Sequence, residues 1–374
     1  MTSQGGATLA VVQESEPTEA RGVGATLNLR IVRGPLQPDE NEKVLSEYNK
    51  RIAPPHIAMH EYLRWVQTSP EGPAWHAILE SNSHGIVGHQ CLIPIRADWR
   101  GRKIVAAKSE YTFLHEDFQT AKIHGLERVQ RPTHIVAANQ LFQRGQSEAW
   151  GPFLISTTPS LRRRGFYGFV ATDCPLWECL LILRPMAAAR KTPSLQRWQR
   201  ACLFLGGAAQ KTVWGPAARF YPRASEFQIV KIDHSPLPEQ KDFLSFFGDL
   251  ESLRWRYPSD EYERLGLNSS DYLIYKRGSI DQYMRICQWQ LDATDLSLSQ
   301  IGHLIQIAQK DGAMGVRWSI YGRDDTAKAL VRRLRRSGFL CVPHTKTIQI
   351  KSHQQQFLRP ECWDLTDAMF SFHR

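Results

Sequence analysis

The sequence predicts a mixed α/β (α+β) protein made of two similar domains in tandem, and three observations predict it. At 374 residues the chain exceeds one ordinary core, for which roughly 100–200 residues suffice. Strand-like and helix-like stretches alternate along it through hairpins rather than in strict βαβ order. Two short segments also recur in the same order: Leu63-Arg64-Trp65 and Leu253-Arg254-Trp255, then Arg163-Arg164-Gly165-Phe166 and Arg335-Arg336-Ser337-Gly338-Phe339. A Trp closing a buried helix or a Gly-Phe opening a buried strand is common in α/β proteins. Their shared order within similar strings of elements points to duplication.

Residues 1–26, rich in Gly, Ser, Thr, Glu and Ala without periodicity, read as a disordered leader. Leu27 to Val32 alternates apolar and polar side chains as a half-buried strand does. From Asp39 the spacing of Val44, Leu45, Tyr48 and Ile52 predicts a helix that must end by Pro54, and a second helix spans Ile57 to Val66. Trp75 to Leu79, Gly85 to Ile95 and Ile104 to Phe113 read as an antiparallel meander with turns at Asn82 to Gly85 and Arg100-Gly101. Then come a helix over Asp117 to Val129, a strand over His134 to Ala138, a helical turn over Asn139 to Arg144 and a strand over Phe153 to Thr157. After the change of character at Arg190 to Arg223, the second set comprises a strand at Phe227 to Ile232, a helix at Lys241 to Trp255, and strands at Tyr272 to Lys276 and Gln282 to Leu291. A helix at Leu298 to Lys310, a strand at Ala313 to Ile320 and a helix at Asp325 to Ser337 complete it. The expected organisation is a leader (1–26), a first domain (27–189), a basic linker or helical segment (190–223) and a second domain (224–374).

Composition narrows the function classes. Hydrophobic residues make up 42% of the chain, with 11 Trp, 11 Tyr and 16 Phe, enough apolar surface to exclude global disorder. Seven Cys form no CxxC pair and His and Cys never meet at zinc-finger spacing, so neither a structural metal nor a disulfide framework is expected. No secretion signal is legible, and the longest apolar stretch, Pro175 to Leu183, is too short and too charged to span a bilayer. A cytoplasmic location is the expectation. The net charge of +10 is concentrated: residues 162–223 carry eleven Lys or Arg against Asp173 and Glu178, a net of +9. Such a field concentrates anions, among them phosphates, acidic lipid and nucleic acid, although a solvated basic linker would carry the same charge. No nucleic-acid motif accompanies it, so no specific nucleic-acid partner is expected.

The residues resemble the GNAT (N-acetyltransferase) superfamily in its tandem form among bacterial acyltransferase-like proteins. Tyr62-Leu63-Arg64-Trp65 followed by Pro70-Glu71-Gly72-Pro73 resembles the helix and proline bend before the first core strand. Gly85-Ile86-Val87-Gly88-His89 with Pro94 resembles a hairpin common in these folds. Gly165-Phe166 and Gly338-Phe339 are similar to the late Gly-Phe that opens the closing hairpin, and Trp363-Asp364-Leu365-Thr366-Asp367 to the tandem members' C-terminal ending. The resemblance covers residues 27–374 and implies two domains, each a mostly antiparallel twisted sheet flanked by helices.

It further implies acetyl-CoA or another acyl-CoA as co-substrate, no metal, and a small-molecule or peptide amine as acceptor. Such domains hold the cofactor pyrophosphate on main-chain N–H groups of a loop and helix N-terminus after a splayed strand. The family pattern V-x-P-x-Y-R-G-x-G-x-G falls by position on Leu114 to His124. There Phe118 takes the aromatic place, Gln119 replaces Arg, and the glycines become Thr120, Lys122 and His124. The expected cofactor-binding residues are Leu114, Phe118, Gln119, Thr120, Ala121 and Lys122, with Lys122 supplying charge where the glycines are gone. The second half offers no such loop and is expected to serve the substrate side or as scaffold.

Acyl transfer to an amine needs a base for the ammonium proton and an acid for the thiolate. Glu110, on the strand before the loop, is the candidate base and Tyr111 the candidate acid; alternatively Glu110 pairs with Lys108 or Arg102. His115, His124 and His134 lack metal-ligand spacing. Ser156, Ser160 and Cys174 lie in no nucleophile-elbow turn, which argues against hydrolase chemistry. Arg162-Arg163-Arg164 are either helix-ending surface charge or an anion clamp. Two other readings stay open: a catalytically silent binding protein or scaffold that has lost the cofactor loop, and membrane-surface contact by residues 190–223, with Trp198, Phe204 and Trp214 inserted in lipid. The pair Gly206-Gly207 argues against a helix there.

Overall fold

The computed structural model describes residues 26–52, 56–129, 131–157, 169–171, 176–191, 197–220, 228–230, 244–246, 249–258, 260–266, 272–276, 282–290, 298–321, 325–343, 347–358 and 363–364. The expected leader therefore lies, but for Thr26, outside the described residues, as does Arg163 to Phe166.

In the first half, β1 (Thr26–Arg33) is followed by α1 (Pro38–Asn49) and α2 (Met59–Gln67). The meander β2 (Trp75–Ser81), β3 (Gly85–Trp99) and β4 (Arg102–Leu114) follows as expected. Next come β5 (Lys122–Ile123), α3 (Thr133–Ser147), β6 (Phe153–Thr157), β7 (Val170–Ala171) and β8 (Leu176–Ile182). Helices α4 (Pro185–Lys191) and α5 (Arg197–Phe220) bridge to the second half. That half contains β9 (Gln228–Val230), β10 (Leu244–Phe246), α6 (Leu250–Arg256), β11 (Tyr262–Gly266), β12 (Tyr272–Lys276) and β13 (Tyr283–Gln290). It ends with α7 (Leu298–Lys310), β14 (Gly315–Tyr321), α8 (Asp325–Arg336), β15 (Leu340–Pro343), β16 (Thr347–Lys351) and β17 (Trp363–Asp364).

Three local expectations are corrected. Residues 117–129 form no helix, because Gly125 turns the chain with φ 77°; a short 3-10 turn at Glu116–Phe118 and β5 stand there instead. His134 to Ala138 is not a strand but the start of α3. Ile135, Ala138, Leu141, Phe142 and Gly145 recur at helical spacing and are buried on the first sheet. The helix expected from Lys241 begins only at Leu250, where Asp249 caps it by accepting from the Ser252 amide at 3.0 Å, and Leu244 to Phe246 pair with β3 instead. Strand β11 carried no clear alternation and was not expected.

The two sheets show the duplication directly. The first runs β5-β1-β2-β3-β4-β6-β16-β7, with β10 and β17 added beside β3; the second, in the matching direction, runs β9-β11-β12-β13-β14-β8-β15. Apart from β5, each strand has a counterpart at the same place, and each neighbouring pair has the same sense. The β4–β6 and β13–β14 pairs are parallel and the others along both paths antiparallel, the peripheral β5–β1 and β10–β17 pairs aside. Both sheets carry an irregularity at the equivalent strand pair, an extra residue in β4 opposite His89 to Cys91 and one in β13 opposite Ile274 and Tyr275, and the first sheet has a further one between β2 and β3 at Leu79 and Glu80.

The sheets do not divide the chain at the expected boundaries, because the halves exchange their last strands. Strand β8, from the first half, lies between β14 and β15 of the second sheet, and β16, from the second half, lies between β6 and β7 of the first. The exchange also brings Cys179 of β8 opposite Cys341 of β15, where they are joined as a disulfide. The expectation of no disulfide fails because spacing in the chain carries no sign of partners 162 residues apart.

Successive residues of each strand face opposite layers. Ala77, Leu92, Ala107 and Phe153 lie under α3. Ile78, Ile93, Ala106 and Leu154 enter the largest core, which also takes in α1, α2, α6 and Tyr272 and Ile274 of the second sheet. The second sheet's other face packs on α7, α8 and Trp214 of α5. The repeated Leu-Arg-Trp segments meet in the central layer. The Trp65 and Trp255 rings pack edge to face at 5.0 Å, the Trp255 indole N–H donates to the Arg64 carbonyl at 3.4 Å, and the Arg64 guanidinium pairs with Glu261 at 2.8 Å.

Candidate active site

The feature that separates this sheet from a continuous one lies between β4 and β6. The strands pair only at Ala107 with Phe153 and Lys108 with Leu154. Beyond these, β6 stays with β16 over five residue pairs, Thr347 to Lys351, while β4 stays with β3 as far as Leu114 and Gly88. The two strands thus part towards their C-terminal ends, and among the described residues the main chain of β4 from Ser109 onward has no strand partner on its β6 side. An open edge of N–H and C=O groups is a binding surface for an extended, amide-bearing ligand.

The bulge lies within that edge. Tyr111 takes a φ of 50°, rare for a residue with a side chain, and is held there from several sides. Its carbonyl accepts from His89 Nδ1 at 2.8 Å, and the carbonyl of Glu110 accepts from the Cys91 thiol at 3.4 Å. Because a carbonyl only accepts, His89 carries its proton on Nδ1, so its Nε2 accepts from His76 Nδ1 at 3.0 Å. Both rings are neutral: burial pushes His89 down to about 4, and burial, with His89 and Arg30 nearby, pushes His76 well below its usual value. The Tyr111 ring packs edge to face on Tyr62 at 4.8 Å and Tyr48 at 5.3 Å.

Of the two expected catalytic residues, Glu110 stands on the open stretch with its carboxylate 2.9 Å from the Lys108 ammonium. Lys108 is itself fully buried, so the pair anticipated from sequence exists and Glu110 is its only partly accessible member. Tyr111 is fully buried, and burial pushes its phenol well up, with the neighbouring Cys91, Glu110 and Tyr62 adding to the shift. Its ring, packed on Tyr48 and Tyr62, helps to hold the bulge.

The residues expected to hold the cofactor lie at the end where β4 leaves the sheet. Leu114 stands opposite Gly88 and packs closely over it: a Cβ there would come within 2.9 Å of the Leu114 side chain. Phe118 is buried, with the rings of His84 and His115 against it. The carbonyl of Gln119 accepts from the Thr133 amide at 3.2 Å, and that of Ala121 from the Thr133 hydroxyl at 2.6 Å. The first turn of α3 is thereby occupied by the chain's own carbonyls. Thr120 is exposed. Lys122 is exposed on β5, which pairs with β1 at the edge of the sheet. His115 and His124 pair with Asp117 and Glu127, each at 3.4 Å, and Arg162 to Arg164 lie outside the described residues. Sequence reasoning missed His76 and His89. The only sign was a histidine at an inward-facing position of each of two neighbouring strands, which has no distinctive spacing.

No family model matches the chain, and no curated protein matches it. Solved structures do. The N-myristoyltransferase of Saccharomyces cerevisiae with bound myristoyl-CoA aligns at 12% identity over 86% of this chain and 78% of that one, with a TM-score of 0.54. A Pyrococcus horikoshii protein provisionally described as an acetyltransferase aligns at 11% identity over 97% of this chain and 99% of that one, with a TM-score of 0.53. At such identities the likeness is one of fold: the chain shares the mixed α/β architecture of these two structures.

Proposed function

We propose that this protein is an acyl-CoA-dependent N-acyltransferase whose reaction takes place in the opening between β4 and β6. The observation that carries the reading is the parting of two parallel strands after two residue pairs, beside a bulge secured by buried side chains. The thioester arm of an acyl-CoA carries amides that can pair with the open edge of β4. A main-chain N–H of that edge would then meet the oxygen of the attacked carbonyl. The acceptor amine, on a small molecule or a peptide, forms the new C–N bond as the C–S bond breaks. Its proton passes to Glu110 and on to the departing thiolate, so amide and thiol leave neutral. Lys108 holds the Glu110 carboxylate in place.

Leu114, Phe118, Gln119, Thr120 and Ala121 bound the end of the opening. Lys122 follows them directly as a cation for the phosphates, and Arg162 to Arg164, which follow β6 in the sequence, are further candidates for that charge. Calorimetric titration with acetyl-CoA and a long-chain acyl-CoA tests the proposal. Saturable heat and thermal stabilisation are expected, with affinity weakened by Lys122→Ala. With an amine acceptor found by thiol release, Glu110→Gln keeps the affinity and slows transfer by about 10²–10⁴-fold. Absence of heat and of stabilisation at saturating cofactor would overturn it.

A second reading, a catalytically silent binding protein, is favoured by one observation: Thr133 at the head of α3 is satisfied by Gln119 and Ala121 where a phosphate would otherwise bind. The same titration separates the two.

A further inference from the structure

Helix α5 is intact through the Gly206-Gly207 pair, and its packing explains one of these glycines. A Cβ on Gly207 would come within 2.8 Å of Ile182 Cγ2, so the helix can approach β8 closely only there. Gln210 on the same side bridges β8, donating to the Leu180 carbonyl at 3.0 Å and accepting from the Ile182 amide at 2.9 Å. Trp214, expected to insert into lipid, is instead buried against the second sheet. The inner face is thus Gly207, Gln210 and Trp214.

The outer face is also apolar, which a surface helix in water does not need. Ala201, Leu205, Ala209 and Thr212 are exposed there, flanked by Phe204 and Val213. Leu205 is 64% exposed, Val213 47% and Phe204 37%, and Met186 on the adjoining α4 is 53% exposed. Among the described residues, four of the seven exposed large apolar side chains therefore lie on this one helix pair. Of the cations on these helices and just before them, Arg184, Arg190 and Lys211 are exposed, and residues 184–223 contain no Asp or Glu. The end of α8, with Arg336 exposed, borders the patch, since Gly338 lies against Val213.

We infer that the α4–α5 face is a docking surface for an anionic lipid bilayer, on which α5 lies parallel to the membrane. A second copy of the chain would set these exposed cations against an equal number, and a neutral apolar partner would leave them unused. An anionic bilayer accepts both the apolar ridge and the cations. No helix among the described residues is long and apolar enough to cross a membrane, which agrees with contact from one side.

The test is sedimentation of the full chain with phosphatidylcholine vesicles, with and without phosphatidylglycerol, at low and high salt. The protein is expected to pellet with anionic vesicles at low salt, and at least about tenfold less strongly at high salt or without phosphatidylglycerol. Leu205→Glu lowers partition at least about tenfold. Val129→Glu, at an exposed apolar residue elsewhere, leaves it unchanged, and circular dichroism and melting temperature verify that both variants fold. No vesicle-dependent pelleting at low salt, or an unaffected Leu205→Glu variant, overturns the inference. So does light scattering that shows a dimer dissociated by Leu205→Glu, which would assign the face to a second copy.

Discussion

The strand exchange predicts that the two halves unfold as one unit, and Ile350→Ala tests it. Ile350 belongs to the second half by sequence, yet it is fully buried in β16 between β6 and β7, in the core shared with Ile78, Ile93 and Leu154 of the first half. Truncating a fully buried branched side chain costs about 3 kcal/mol, through lost transfer energy and the cavity left behind. With a urea m-value of about 3 kcal/mol/M for a chain of this size, the midpoint should fall by about 1 M. Leu181→Ala in β8, equally buried in the second sheet, should produce a shift of similar size. Urea unfolding followed by Trp fluorescence and far-UV circular dichroism reads both. The expected result is one transition in each protein, with the two probes coinciding. Two separate transitions, Ile350→Ala moving one and Leu181→Ala the other, would show that the halves are energetically independent and refute the reasoning.

Three further outcomes follow from particular contacts. Burial pushes the Glu47 carboxyl up, but the Lys50 and Arg51 cations more than offset this and hold it at about 2. Its stabilisation is therefore complete above the unfolded value of about 4.3 and lost as pH falls towards 2; solvent screening leaves about 1 kcal/mol. Thermal melts from pH 6 downward should fall more steeply for the wild type than for Glu47→Gln, and parallel slopes would show that the cluster contributes nothing. His89→Leu strands the Tyr111 carbonyl and His76 Nδ1 in the core and should cost about 2–3 kcal/mol, whereas His89→Gln keeps a donor and should cost less; equal losses in chemical unfolding would exclude a hydrogen-bonding role. A double-mutant cycle of Trp65→Phe and Trp255→Phe should give a coupling of about 1 kcal/mol for the edge-to-face pair, and additivity would remove it as a link between the halves.

Much of this architecture was legible from residues alone, where the physical signal is local. The alternation in Leu27 to Val32, the turns at Asn82 to Gly85 and Arg100-Gly101, and the periodicity of Leu298 to Lys310 each mark an element correctly, because side-chain period and turn chemistry act over a few residues. The errors lie where local signals are ambiguous: Ile135-Val136-Ala137-Ala138 suits a buried strand or a buried helix equally, and only packing on the first sheet settles it. Of the candidate site, Glu110 and its partner Lys108 could be read from their places on one strand, while His76 and His89 bear no spacing that marks them.

What the sequence by itself determined was the class of fold, its duplication through Leu-Arg-Trp and Gly-Phe, and the concentration of positive charge between residues 162 and 223. The tertiary structure alone decided that β8 and β16 change places, that β4 and β6 part after two pairs, that Cys179 meets Cys341, and that Trp214 turns inward while Leu205 faces out. The physical reason is range: side-chain periodicity and turn preferences are properties of adjacent residues. Strand partners, strand divergence and the exposed side of a helix such as α5 depend on contacts between residues far apart in the chain, which leave no local mark.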